Sequence, residues 1–108
     1  METADTICAI STPPGEGGIG IIRISGPKAH KLLIKIFHPN TRTDIYLPRT
    51  VYLGNIIDRD GKGKVDEVFA VLLKAPKTYT REDMAEIYSH GGFATQQSIL
   101  SLLIKYGA

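Results

Sequence analysis

Gly15-Glu16-Gly17-Gly18-Ile19-Gly20-Ile21-Ile22-Arg23-Ile24-Ser25-Gly26-Pro27 is the stretch that decides the fold. Its first six residues match G-x-G-x-x-G, a fingerprint that cradles a dinucleotide pyrophosphate when a strand precedes it and a helix follows. Here a strand follows. Ile19, Ile21 and Arg23 alternate with Gly20, Ile22 and Ile24, the pattern of a strand buried on both sides, with Arg23 expected inward among isoleucines. Glu16 would also face the phosphates, and no acidic residue ends a second strand about 20 residues on. The dinucleotide fold is therefore set aside. Ile21-Ile22 stand where a phosphate loop needs Lys-Ser/Thr, so the segment supplies no GTP or ATP site. What remains is a glycine loop that lets backbone approach closely.

Upstream, Thr6 to Ser11 reads as a short strand halted by Thr12-Pro13-Pro14-Gly15, because proline lacks the ladder donor. Downstream, Ser25-Gly26-Pro27 is a helix-start signal with proline at the first helical position. Ala29, Leu32, Leu33, Ile36 and Phe37 recur at helical spacing opposite Lys28, Lys31 and Lys35, and Pro39-Asn40 closes the pattern. Strands are expected over Val51 to Ile57 and Val65 to Leu73, joined as a hairpin through Asp58-Arg59-Asp60-Gly61-Lys62-Gly63. Ala75-Pro76-Lys77 ends that hairpin, and Thr80 with Asp83 suggests a capped helical turn. Met84 to Ser89 alternates again, with Met84, Glu86 and Tyr88 on one face, before His90-Gly91-Gly92 breaks it. A last helix is expected from Phe93 to about Tyr106, with Leu100, Leu103 and Ile104 inward and Gly107 at its C-terminus. The order predicts an α+β fold, a mixed sheet of about five strands packed with two helices, in one domain over residues 1–108.

Composition narrows the function classes. At 108 residues, 43% hydrophobic and 22% charged, the chain has the size of one domain and buries roughly 65% of its unfolded surface without staples. Its net charge of +2 is no concentrated nucleic-acid footprint. The longest apolar run, Val68 to Leu73, is far short of the about 20 residues that span a bilayer, so no membrane segment is expected. The lone Cys8 and the acidic start Met1-Glu2-Thr3-Ala4-Asp5 suit a cytoplasmic location. The ending at Tyr106-Gly107-Ala108, directly after a helical pattern, reads as a cut through a longer chain.

Asp58-x-Asp60-Gly61 hints at a calcium loop, but its glycine comes too early and no glutamate stands at the twelfth position, so it is read as a turn. His30, His38 and His90 do not share metal-ligand spacing. His90, beside two glycines, fits a functional group or a strand-end cap equally. Two charges stand out within apolar strand faces, Arg23 and Glu86. Either buried alone would be costly. They pair with each other or sit at a sheet edge, or they hold a polar ligand, the carboxylate accepting paired N–H bonds from a heterocycle and the guanidinium gripping a carbonyl or carboxylate.

Across these segments the sequence resembles the N-terminal domain of the MnmE/TrmE family of tRNA modification GTPases. The resemblance rests on Asp5-Thr6-Ile7, on Thr12 through Pro27, on Val65-Asp66-Glu67-Val68 and on Ala75 through Gly92. It implies a domain similar to the tetrahydrofolate-binding modules of aminomethyltransferases, serving as folate site and homodimerisation domain. Carried over by position, the family's contacts to 5-formyl-tetrahydrofolate or a related reduced folate fall on Arg23 and Glu86; a third, a lysine in a Phe-Leu-Asn-Gly-Lys segment, lies beyond Ala108. For the whole protein it implies modification of the wobble uridine of tRNA, with GTP, magnesium and potassium held in a GTPase domain outside this chain and with an MnmG-type flavoprotein as partner. This chain alone is expected to be non-catalytic. Arg81 departs from the glycine usual between Thr80 and Glu82, and Glu16 from a common basic residue. The alternative is a purely structural dimerisation module with no functional folate site.

Overall fold

The computed structural model describes residues 5–11, 18–41, 46–58, 60, 63–90 and 92–108. The glycine-rich loop at 12–17 with Glu16, residues 59, 61 and 62 of the hairpin turn and Gly91 lie outside them. The elements run β1 (Ile7–Ile10), β2 (Ile19–Ser25), α1 (Ala29–Ile36), β3 (Phe37–Pro39), β4 (Tyr52–Asp58), β5 (Gly63–Leu73), β6 (Met84–His90) and α2 (Phe93–Lys105). The strands form one sheet in the order β1-β2-β6-β5-β4-β3. The α+β class is as expected, with two corrections. The sheet has six strands rather than about five, and every pairing is antiparallel rather than mixed.

The extra strand is β3. Phe37 fits the helical periodicity of α1, yet the chain leaves the helix at Ile36 because Pro39 disfavours helix in the residue before it. Phe37 is buried all the same, its backbone pairing with Ile56. Pro39 is tolerated because β3 is an edge strand.

Both helices cover one face of the sheet. Ile22 and Ile24 of β2, Ala85 and Ile87 of β6, Ala70 and Leu72 of β5 and Ile56 of β4 pack there against Leu32, Leu33 and Ile36 of α1 and Ile99, Leu102 and Leu103 of α2. Ile104, expected inward, is instead exposed; the inward stripe is Gln96, Ile99, Leu102 and Leu103. Gly107 closes α2 as expected, with φ of +127°. Its N–H donates to Ile104 O at 3.2 Å and that of Ala108 to Leu103 O at 3.0 Å, the paired bonds of a Schellman cap.

The second face is open. It carries Ile19, Ile21 and Arg23 of β2 opposite His90, Tyr88 and Glu86 of β6, and Phe69 and Val71 of β5 beside Tyr88 and Glu86. Ile19 is 62% exposed and Phe69 48%. β2 is therefore buried on one side only, and Arg23 sits on the uncovered face rather than within the core, because two helices suffice for one face of a six-stranded sheet.

The start of α1 depends on Gly26. Helical residues begin at Ala29, two after Pro27, and the Lys28 N–H donates to Thr6 Oγ1 at 2.9 Å. Gly26 has φ of +137°, and a Cβ there would lie 2.6 Å from both Asp5 O and Thr6 Cα. Gly26→Ala should therefore lower stability by about 2–3 kcal/mol, since both conformation and space oppose a side chain. Gly92→Ala, whose Cβ would meet only Thr95 Oγ1 at 3.9 Å, should cost less than about 1 kcal/mol. Denaturant melts of the two variants check this; equal losses would refute it.

Candidate ligand site on the open face

Arg23 and Glu86 are direct cross-strand partners in the β2–β6 ladder. Because side chains alternate along a strand, this register alone sends both to the open face. Arg23 Nε donates to Glu86 Oε2 at 2.6 Å, and Tyr88, two residues along the same face, donates its hydroxyl to Glu86 Oε1. The Glu86 side chain is 10% exposed and that of Arg23 39%. The carboxylate thus lies at the bottom of the cluster and the guanidinium near its surface. Two of the roughly four lone-pair positions of Glu86 are occupied, and Arg23 reaches it through Nε alone.

A loop supplies the next wall. Residues 74–83 are sutured to the end of β2: Ser25 Oγ lies 2.7 Å from Thr80 Oγ1 and donates to Glu82 Oε1 at 3.2 Å, and the Gly26 N–H donates to Asp83 O at 2.9 Å. Asp83 Oδ1 accepts from the Ala75 N–H at 2.9 Å, and the Ala75–Pro76 peptide bond is cis. No helical turn forms at Thr80 to Asp83. Thr80 Oγ1 does accept from the Glu82 N–H at 3.3 Å, but Arg81 between them has φ of 64°, which interrupts a right-handed turn. That is the position where the resemblance leads one to expect glycine. The loop brings the ring of Tyr79 to 5.1 Å from Arg23 Cζ, a cation–π contact.

The sequence singled out Arg23 and Glu86, and the structure brings them together. It adds Tyr88 and Tyr79. Tyr88 was legible as a same-face neighbour of Glu86; Tyr79 carried no signal, because its approach depends on a loop path. His90 resolves toward the strand-end role. Asp66 accepts from the His90 N–H at 3.0 Å through Oδ2 and bonds Nδ1 at 2.7 Å through Oδ1, so one carboxylate tethers the end of β6 to β5. Asp58 makes an Asx turn with the Asp60 N–H at 3.0 Å, and Lys105 lies 2.5 Å from Asp60 Oδ2, consistent with a turn there.

An acidic acceptor set deep, a guanidinium above it and two aromatic rings thus lie together on the open face, an arrangement with the chemistry to hold a planar, polar ligand. Residues 6–108 match the family described as GTP-binding protein TrmE N-terminus, and the chain belongs to that family. It is 49% identical over 104 residues to the tRNA modification GTPase MnmE of Lactiplantibacillus plantarum, covering 96% of this chain and 22% of that protein. The MnmE of Desulfotalea psychrophila is 48% identical over the same share of each. That of Geobacter metallireducens is 42% identical over the whole chain and 24% of its own length. The chain thus spans less than a quarter of the relatives it matches.

Burial, then the hydrogen bond to Glu86, pushes the Tyr88 phenol up to about 12 from its ordinary 10.0. A pKa raised on folding means the unfolded chain loses the proton first. The contribution of Tyr88 is therefore fully present below pH 10 and is lost as pH rises to about 12, a loss of roughly 2 kcal/mol. Alkaline titration of tyrosinate absorbance should show a late component that Tyr88→Phe removes, and an unchanged late component in that variant would refute the coupling.

Proposed function

We propose that this chain is the folate-binding and homodimerisation domain of a GTPase that modifies the wobble uridine of tRNA, the names of its relatives supplying the tRNA modification and the GTPase. The observation that carries the folate reading is the Arg23–Glu86–Tyr88 cluster at the centre of a sheet face that no helix covers. Glu86 accepts from the amino and ring N–H groups of a reduced pterin such as 5-formyl-tetrahydrofolate, using the lone pairs its neighbours leave. Arg23 gives its remaining N–H groups to a carbonyl or carboxylate, and Tyr79 adds an aromatic wall. In the whole protein, a GTPase domain outside this chain holds GTP with magnesium and potassium, and an MnmG-type flavoprotein and tRNA are the partners, in the cytoplasm. Among the described residues no helix is long and apolar enough to cross a membrane. This chain places the one-carbon carrier and joins the subunits.

Hydrogen bonds to a carboxylate are worth about 1.5–3 kcal/mol. Titration of 5-formyl-tetrahydrofolate should therefore show about a tenfold to hundredfold weaker Kd for Glu86→Gln than for wild type, with circular dichroism confirming the fold. Equal affinity of the folded variant would make Arg23 and Glu86 a structural pair. That second reading, a dimerisation module without a working folate site, draws on one observation, that the two side chains already bond each other.

Dimerisation draws support from the same face. Ile7, Ile19, Leu53 and Phe69 are large apolar side chains left in water on one side of the sheet, a surface that a second copy can bury about a two-fold axis. Sedimentation should show a concentration-dependent dimer, weakened by Phe69→Lys. A monomer at high micromolar concentration would count against it.

A further inference from the structure

Arg49 and Arg81 are the two described non-glycine residues with positive φ, at 62° and 64°. Both line the same open basin of about 790 Å³. Backbone strain persists where the surroundings hold it, and it gathers at binding sites. Here the chain itself supplies the surroundings. The Arg49 N–H donates to Leu72 O at 2.8 Å, its guanidinium donates to Lys77 O at 2.8 Å, and the Arg81 N–H donates to Thr78 O at 3.3 Å. Lys77 lines the basin as a third cation, and Leu73, Pro76 and Tyr79 give it an apolar side.

None of these three cations has an ion-pair partner among the described residues. The ion pairs there join Arg23 to Glu86, His90 to Asp66 and Lys105 to Asp58 and Asp60. The two carboxylates of the same loop are engaged elsewhere, Glu82 by the Ser25 hydroxyl and Asp83 by the Ala75 N–H. Three positive charges with no ion-pair partner around one concavity focus a field for an anion.

The basin continues the site. Leu73 pairs with Met84, two residues along the ladder from the Val71–Glu86 pair, or about 7 Å at the rise of a strand. Tyr79 faces Arg23 and lines the basin as well. At the other end of β6, beyond Tyr88, the hollow beside Ile19 and Phe69 is lined by Glu67, and Asp66 holds His90 there, so carboxylates are repelled. A ligand with its heterocycle at Glu86 and an acidic tail is thereby oriented with the tail over Arg49, Lys77 and Arg81.

We propose that this basin is a subsite for the γ-linked oligoglutamate tail of a reduced folate, its carboxylates pairing with Arg49, Lys77 and Arg81. This rests on the folate reading above and goes beyond it, naming the form of the ligand that the domain prefers. Each added glutamate brings one more carboxylate within reach of a cation that has no ion-pair partner among the described residues.

The test compares 5-formyl-tetrahydrofolate as the monoglutamate and the triglutamate, with a tetrahydropterin lacking the benzoylglutamate as control, on wild type and on the double variant Lys77→Ala/Arg81→Gly. Wild type should bind the triglutamate about tenfold more tightly than the monoglutamate, a preference that shrinks with added salt. The double variant should lose most of that preference while binding the tail-less pterin unchanged. Arg81→Gly alone should raise Tm while lowering the preference, because glycine releases the strain that the charge requires; a merely structural Arg81 would not separate the two readouts. Equal binding of both tail lengths by wild type, or a preference that survives the double variant, overturns the subsite and leaves the folate reading standing. Binding of none of the three ligands overturns both. If the variants weaken binding of a single-stranded RNA oligonucleotide and leave the tail preference intact, the basin reads phosphates and the proposal fails.

Discussion

The register of β2 against β6 is the constraint on which the rest depends. Arg23 stands opposite Glu86 across 63 residues of chain, and a slip of one residue in either strand would turn its charge into the helix-covered core while expelling its isoleucines, Ile22 and Ile24 of β2 or Ile87 of β6. Burial of a charge unpaired costs several kcal/mol, and exposure of each of these fully buried isoleucines costs about 1.5–3 kcal/mol. Core and candidate site therefore specify the same register from opposite faces. The interaction that fixes the fold is the one that assembles the Arg23–Glu86–Tyr88 cluster.

The loop from Lys74 to Asp83 converts that pair into a walled site. Its hydrogen bonds to Ser25 and Gly26 anchor it at the end of the strand that carries Arg23. Because the anchors are on β2 while the chain continues into β6, the loop bridges both charged partners, and Tyr79, 82% exposed, stands beside Arg23 with little else covering it. A ring of that size left in water is apolar surface awaiting a partner.

Much of this was legible in the sequence where periodicity and punctuation agree. Strand alternation placed Ile22 and Ile24 on one face and Arg23 on the other, and Gly107 marked the end of α2. Failures came where one residue satisfied two patterns. Phe37 has helical spacing and a buried side chain, yet belongs to β3, because Pro39 acts on the backbone and hydrophobicity cannot register that. Ile104 is apolar and close to the inward stripe, but α2 turns Leu102 and Leu103 inward in its place. Arg23 was read as inward because an isoleucine-rich strand looks the same whether helices cover one face or two; the number of helices available decides that, and no local pattern encodes it. Of the site, Arg23 and Glu86 announced themselves as charges among apolar neighbours. Arg49 of the basin did not, and Arg81 stood out only as a departure from the glycine the resemblance leads one to expect, since the two meet only after the 31 positions between them have folded and their shared feature is a dihedral angle.

The strand order carries a temporal consequence. β1 with β2 and β4 with β5 are hairpins or near neighbours in sequence, whereas β6 is the last of the six described strands in chain order and takes the position between β2 and β5. Until residues 84–90 leave the ribosome, the sheet is two separate ribbons with no strand between them, and β2 and β5 each present an unpaired apolar edge. Such edges recruit other chains. Closure of the sheet, completion of the core and creation of the Arg23–Glu86 cluster are thus one event, dominated by contacts distant in sequence, which are slow to form. A chain interrupted before Met84 would lack the Arg23–Glu86 pair and would also be sticky, so the same seven residues that complete the candidate site also hide the edges that would recruit other chains.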